Sequence, residues 1–492
     1  MSFQDVLRLL NVGLTKQNSA FMNKRVQVIK YLFSDYFTAS ASWILFYIYR
    51  KSYIEPQYFG SDVPLEFTNR FFLGLIFIPV FWIAFYYISG YYSNIYRKSR
   101  LIELGQTFLS SLVGVIIIFF ALILDDFIGS YKNYYQLFFT LFGLHFGSTY
   151  LFRLILTSRI IHRIHNRQFG FNTILIGGDE KALKIYHELN TQIRPAGYRF
   201  VGFLTVDENK NYPLEKQIPR LGTIKDFTRV TDNQNIEEVI IAIESSQHDL
   251  LTSILTSLQN RTLSVWGIPD LFDLLSGNIK TNVIYSSPLF RISNGIMPAW
   301  QANMKRLIDV GFSTLAIILF FPVFIFIACW IKFESKGPIF YKQERIGKFG
   351  APFIIYKFRT MVENAETNGP ELSSHNDQRI TRIGQFLRRT HLDEIPQFYN
   401  VIRGEMSLVG PRPERKHFID QIIKEAPHYT HLHTIRPGIT SWGQVKYGYA
   451  SDVDEMIKRL PYDIVYLKNI SLYIDFKILI YTVIACFKGH GK

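Results

Sequence analysis

The run VGFSTLAIILFFPVFIFIACWI at 310–331 decides how the chain is organised. A helix needs about 20 apolar residues to cross a bilayer, and this run is long enough. Pro322 stands at its centre, and an interior proline removes a hydrogen bond and kinks a helix. Lys305 and Arg306 precede the run; Lys332 and Lys336 follow it. Lysine and arginine collect on the cytoplasmic side, so a straight span would export one of these clusters. A helix that dips in, breaks at Pro322 and returns keeps both clusters on one face. The sequence therefore predicts a re-entrant helix over about 310–331 instead of a plain span.

Toward the N-terminus, four apolar runs lie near 31–49, 71–90, 104–124 and 134–156, each close to bilayer length. Basic residues precede the first (Arg8, Lys16, Lys24, Arg25, Lys30), separate the second from the third (Arg97, Lys98, Arg100) and follow the fourth (Arg153, Arg159, Arg163, Arg167). The other two loops are mixed or acidic. This pattern puts both ends of a four-helix transmembrane bundle over 1–165 in the cytoplasm. The N-terminus lacks the early apolar stretch and cleavage site of a signal peptide. Asp35 and His145 lie at membrane depth. With no second ionisable residue to form a relay, each is expected to face the bundle interior and meet a polar partner.

Composition agrees with a membrane protein. Of 492 residues, 48% are hydrophobic, 16% aromatic and only 19% charged. Two cysteines, Cys329 and Cys486, exclude a disulfide framework and a cysteine zinc cage. The net charge of +14 suits membrane lipids of anionic character or phosphorylated substrates, with no nucleic acid partner.

From 171 to 298, short β-branched runs at 173–178, 199–205, 237–243 and 263–269 alternate with helical patterns, which predicts a Rossmann-like α/β domain. Gly177 and Gly178 end the first run where a dinucleotide-binding fold places its phosphate loop. The stretch reads GGDEKA, so the third glycine is missing and Asp179 and Glu180 put negative charge where a pyrophosphate would sit. A scaffold turn is the preferred reading over a nucleotide site.

The region 299–492 carries the chemistry. Arg345, Lys357, Arg359, Arg382, Arg388, Arg412 and Arg436 recur near glycines, and guanidinium forks with backbone amides are what diphosphates require. Inside this basic field stands the acidic pair Asp393–Glu394, just before a helix begun by Pro396. Such a carboxylate, kept ionised by its surroundings, can attack phosphorus or bind Mg2+. Gly410-Pro411-Arg412-Pro413 is a stiff loop that would aim one arginine. The apolar run 472–487, interrupted by Asp475 and Lys477, reads as an interfacial helix or as a core helix of this region.

These motifs resemble the bacterial sugar transferase family, the monotopic polyprenyl-phosphate phosphoglycosyl transferases. The resemblance rests on Lys305-Arg306-x-x-Asp309, Pro322, Gln343-x-Arg345-x-Gly347, Lys357-Phe358-Arg359-Thr360-Met361, Leu392-Asp393-Glu394-Ile395-Pro396-Gln397, the run from Asn400 to Pro413, and Arg436-Pro437-Gly438-Ile439-Thr440. Ser441-Trp442-Gly443 departs from the Gly-Trp-Ala usual in relatives. The bundle and α/β module resemble the large subgroup of the family.

The resemblance implies a mainly helical monotopic catalytic domain on the cytoplasmic face of a bacterial inner membrane. It implies transfer of a sugar 1-phosphate from a nucleotide diphosphate sugar, a UDP-hexose, to undecaprenyl phosphate at the start of exopolysaccharide, capsule or O-antigen synthesis. Asp393 would be the nucleophile and form an aspartyl–phosphosugar intermediate. Glu394 would hold Mg2+, Arg412 would grip the nucleotide phosphates, and Lys305, Arg306 and Arg388 would also contact phosphate. A homodimer and polysaccharide-assembly proteins are expected partners. Two other functions compete: a nicotinamide-dependent nucleotide-sugar epimerase or dehydratase using the α/β module, and a non-enzymatic membrane scaffold.

Overall fold

The computed structural model describes residues 24–93, 95–123, 131–192, 195–206, 211–243, 263–268, 289–292, 297–362, 377–448, 450 and 452–487. Arg8, Lys16, Pro269 and the side chain of Cys486, all used above, lie outside the described residues. The chain forms two compact units, Met1–Phe171 with Tyr186–Arg199, and Asn172–Ile185 with Phe200–Lys492.

The first unit is built on α1 (Lys24–Tyr49), α2 (Asn69–Ile88), α3 (Arg100–Ile118) and α4 (Tyr131–His165). By length and composition α2, α3 with its extension to Leu122, and α4 can each cross a membrane. The first apolar run falls short of that standard, because Asp35 and a run of Ser and Thr dilute it. Its polar side chains turn inward. Asp35 accepts both Nε and Nη2 of Arg153 at 2.8 Å, and Tyr92 Oη donates to it at 2.6 Å. The Arg153 guanidinium also lies over the rings of Tyr86 and Tyr91. His145 stacks on Trp82 at 3.6 Å and shares a 2.8 Å hydrogen bond with Tyr86.

So Asp35 and His145 do face the interior and find partners. Sequence reasoning found no second ionisable residue to join them; beside Asp35 there is one, Arg153. That arginine falls on the stripe 145, 149, 153, 157, whose spacing of four keeps one helix face inward. It therefore does not belong with Arg159, Arg163 and Arg167 as a flanking charge.

The α/β region carries a six-stranded sheet in the order β3-β2-β1-β4-β5-β6. The strands are β1 (Phe171–Ile176), β2 (Tyr198–Thr205), β3 (Arg220–Thr223), β4 (Glu238–Ile241), β5 (Ser264–Gly267) and β6 (Phe290–Ile292). β1, β4 and β5 run parallel, β3 runs parallel to β2, and β6 is antiparallel to β5. The sequence showed four of these strands. β3 reads RLGT and lacks the β-branched apolar run that marks β4, and β6 is only three residues long.

The apolar run at 310–331 lies within α5 (Ala299–Glu334), which continues through Pro322 without interruption. The expected break is absent as a gap in the helix: proline's fixed φ is helical, and only one hydrogen bond is lost. Both halves of α5 pack on the same fold. Asp309 near its start accepts from Ser407 Oγ at 2.7 Å and Leu408 N–H at 3.1 Å. Ile327 and Ile331 near its end join a core with Phe358, Ile383, Leu387 and Ile395. Between them Phe312, Leu315, Ile318, Leu319 and Phe321 are exposed.

Beyond α5 come the hairpin β7 (Phe340–Ile346) and β8 (Pro352–Phe358), then α6 (Arg382–Thr390), α7 (Gln397–Arg403), the parallel pair β9 (Ser407–Val409) and β10 (Gly438–Thr440), and two late helices, α8 (Val453–Lys468) and α9 (Leu472–Phe487). α9 packs on the core along one face and leaves apolar side chains exposed on the other. Asp475 and Ile478 are buried, with Ile478 in a core beside β9, whereas Tyr473, Phe476 and Val483 are exposed.

Candidate active site

The acidic pair sits in the turn between α6 and α7. Thr381 caps α6 by accepting the Gly384 N–H at 3.0 Å. His391 ends that helix in the left-handed region, φ 57°. The chain then makes one 3-10 turn over Leu392–Glu394 and enters α7 behind Pro396. Ile395 and Leu392 bury themselves against α5, β8 and α6, so apolar burial on both sides of the pair fixes its place. Asp393 is 8% exposed.

Cations reach the pair from three separate segments. Lys357 of β8 donates to Glu394 Oε1 at 2.6 Å, and Arg412 of the Gly410–Pro413 loop donates to the same oxygen at 3.4 Å. Arg388 of α6 is fixed by Thr360 Oγ1 at 2.9 Å, and its charge faces Asp393. The two carboxyls respond differently. Burial pushes the Asp393 carboxyl up, and Lys357, Arg388 and Arg412 only partly offset it. Burial also acts on Glu394, but Lys357 and Arg412 overcome it and hold that carboxyl below its ordinary range. The pair is therefore one firmly ionised carboxylate beside one that takes a proton more readily.

The structure assembles Asp393, Glu394, Lys357, Arg388 and Arg412. It gives other predicted cations main-chain partners. Arg306 donates to the carbonyls of Val401 (2.6 Å) and Ile402 (2.8 Å), and Arg436 to that of Gly404 at 2.8 Å, which together satisfy the C-terminal end of α7. Lys305 reaches the Val409 carbonyl at 3.0 Å. Arg359 holds the carbonyls of Ser335 and Lys336 just past α5, both at 2.9 Å. Arg345 contacts the Pro413 carbonyl at 3.2 Å and Glu414 at 3.3 Å. Arg382, at the start of α6, is exposed.

Sequence reasoning missed Glu414 and Asp463. Buried Glu414 takes Arg345 and, at 2.9 Å, Arg459, anchoring the loop that carries Arg412. Asp463 accepts the Gly443 N–H at 2.9 Å, and a Cβ on Gly443 would come 2.7 Å from Asp463 Oδ2. The Ser441-Trp442-Gly443 departure thus has a local packing cause. Nothing in the linear sequence ties these distant residues together.

Among the described residues, no group of three or more His, Cys, Asp or Glu gathers to hold a metal with protein donors alone. Mg2+ does not require one. It keeps several waters and is held by one or two carboxylates plus substrate phosphates, and Glu394, the expected ligand, is a buried carboxylate that Lys357 and Arg412 hold ionised.

The family model for the bacterial sugar transferase matches residues 300–489, and that for a CoA-binding domain matches residues 87–269. A UDP-N-acetylgalactosamine-undecaprenyl-phosphate N-acetylgalactosaminephosphotransferase of Aeromonas hydrophila is 39% identical over 46% of this chain and 53% of its own length. A UDP-glucose:undecaprenyl-phosphate glucose-1-phosphate transferase of Xanthomonas campestris pv. campestris is 32% identical over 63% and 65%. A second UDP-glucose:undecaprenyl-phosphate glucose-1-phosphate transferase, from Caulobacter vibrioides, is 36% identical over 46% of this chain and 89% of itself. The chain thus spans between half and two thirds of the length of the first two curated relatives it matches.

A CoA or dinucleotide does not fit the β1 turn. Gly177 and Gly178 are buried, and the Gly177 N–H already donates to the Leu204 carbonyl at 2.9 Å. A Cβ on Gly178 would lie 2.7 Å from the rings of both Phe203 and Tyr212. Those rings fill the space that a pyrophosphate approaching the backbone would need. The glycines there serve close packing.

Proposed function

The chain belongs to the bacterial sugar transferase family, and from that premise we propose that it transfers a sugar 1-phosphate from a UDP-hexose to undecaprenyl phosphate through a phosphosugar bound to Asp393. The observation that carries this reading is the acidic pair itself. A buried carboxyl, Asp393, stands beside an ionised one, Glu394, inside a ring of Lys357, Arg388 and Arg412. Cations outnumber carboxylates there, which suits an anionic diphosphate.

In this mechanism the cations draw the donor diphosphate against the pair. An Asp393 carboxylate oxygen attacks the sugar-proximal phosphorus, and the phosphoanhydride bond to the nucleoside monophosphate breaks. Arg412 takes up charge on the leaving phosphate. An oxygen of the lipid phosphate then attacks the enzyme-bound phosphorus, releasing the Asp393 carboxylate and leaving a lipid-linked diphosphosugar. Mg2+, held by Glu394, would neutralise charge on the diphosphate. Lys305, Arg306, Arg345, Arg359 and Arg436 fix the frame around these groups through the carbonyls described above, and Arg382 faces solvent.

The site would work at the cytoplasmic surface of the inner membrane, with α5 re-entrant. The support is that the polar fold packs on both the start and the end of α5 while the stretch between is apolar and exposed. A single polar domain reaches both ends of a helix most simply when both ends lie on one side. The exposed face of α9 would lie on the same leaflet.

The experiment supplies purified protein with undecaprenyl phosphate, Mg2+ and a panel of nucleotide sugars. Release of nucleoside monophosphate with one UDP-hexose, dependent on Asp393, supports the reading. Release with none of the panel contradicts it.

A further inference from the structure

Val409 is the last residue of β9, three residues before Arg412, and side chains from two helices reach its carbonyl oxygen. Lys305 Nζ, from α5, donates to it at 3.0 Å, and Tyr466 Oη, from α8, lies 3.4 Å from it with its single proton turned to Asp475. Asp475, from α9, holds both donors. Its Oδ2 accepts from Lys305 at 2.6 Å and its Oδ1 from Tyr466 at 2.6 Å. Tyr466 and Asp475 are buried, at 1% and 6% exposure. A buried charge pair with a hydroxyl between its partners is costly to disturb, so this arrangement keeps one geometry.

The chain from Val409 to Arg412 has little slack. The Gly410 N–H donates to the Thr440 carbonyl at 3.0 Å, and a Cβ on Gly410 would meet the Arg436 carbonyl oxygen. Pro411 and Pro413 lock φ on either side of the arginine. A shift of the Val409 carbonyl is therefore passed on to the guanidinium instead of being absorbed.

We propose that Lys305, Tyr466 and Asp475 are positioning residues that aim Arg412 at the donor diphosphate. The proposal deepens the reading above and rests on Arg412 meeting the donor's phosphates. It gives Lys305 a role other than phosphate contact, and it ties the aim of the Arg412 loop to α5 and α9, the two helices with exposed apolar faces.

The test uses the full-length protein and the first half-reaction alone: single-turnover release of nucleoside monophosphate without lipid acceptor. Tyr466→Phe removes one hydroxyl and keeps the ring, and Asp475→Asn keeps the shape and loses the charge. Each is expected to slow release roughly 10- to 100-fold, since a misplacement of about 1 Å costs on that order. Half-saturation for the lipid acceptor should stay unchanged. In an Arg412→Ala background the same substitutions should add nothing, because the group they aim is gone. If their effects multiply with Arg412→Ala, or if Tyr466→Phe and Asp475→Asn both fold and release at the normal rate, the positioning role is overturned. If Arg412→Ala alone leaves release unchanged, the reading of Arg412 falls and the proposal with it. Should Asp475→Asn fail to fold, Tyr466→Phe decides.

Discussion

Two clusters of buried charge in this chain use the same residue types to opposite ends. In the helical bundle, Asp35 and Glu103 are matched by Arg153 and Lys98, all nearly or fully buried. The best-made pair is closed on itself: the Arg153 fork lies flat on Asp35, with Tyr92 donating alongside. In the catalytic region, Lys357, Arg388 and Arg412 surround two carboxylates and leave positive charge over. Balance makes the first cluster a joint between helices. Imbalance suits the second, on the proposed reading, to receive an anion. Burial alone does not separate them; the charge left after pairing does.

The sharpest way to break this comparison is at the nucleophile. Asp393→Asn should cut turnover by roughly 10^4-fold or more, as loss of a covalent nucleophile does, while leaving the thermal midpoint near that of the parent protein. A variant that keeps most of its activity would mean that the imbalance serves something other than covalent transfer. In the bundle the expectation inverts. Arg153→Leu should cost about 3–5 kcal/mol, because Asp35 is left buried and unpaired. Adding Asp35→Leu should restore much of that stability, with activity per folded molecule preserved throughout. A stable Arg153→Leu protein with lost activity would make the bundle pair a functional site.

The two carboxyls of the acidic pair offer a finer distinction. In metal-free protein followed by isotope-edited carboxyl spectroscopy, acidification should protonate Asp393 well before Glu394. The sign follows from burial raising the first and from Lys357 and Arg412 lowering the second. Lys357→Met should raise both titrations and narrow the gap between them, because Glu394 also loses the hydrogen bond that Lys357 gives it. Reversed order would remove the electrostatic basis for assigning their roles. The smallest effect is expected at the sheet. Gly178→Ala should destabilise by about 1–3 kcal/mol through contact with Phe203 and Tyr212, and less in a Tyr212→Ala background. Saturable CoA binding at that turn would show that the rings give way to a ligand.

How far the sequence reveals these features depends on range. The apolar runs, the acidic pair and Pro322 carry their signal in neighbouring residues, so they can be read directly. The basic residues cannot be sorted that way. An arginine near a glycine has the same signature whether its guanidinium faces a substrate phosphate, as proposed for Arg412, or a main-chain carbonyl, as Arg436 does. Arg153 looks like a flanking charge because it ends an apolar run, yet α4 continues for three more turns with Arg153 on its inner face. Asp475 meets Lys305 across 170 residues, and no local pattern announces that contact.

The central claim is a covalent bond between phosphorus and Asp393. The direct measurement incubates the protein with a donor radiolabelled in its sugar-proximal phosphate, without lipid acceptor, and maps the label by mass spectrometry. The account predicts one hydroxylamine-labile phosphosugar on Asp393, discharged when undecaprenyl phosphate is added and absent from Asp393→Asn. Transfer to the lipid with no protein-bound label at any time, or label on a different residue, would contradict it.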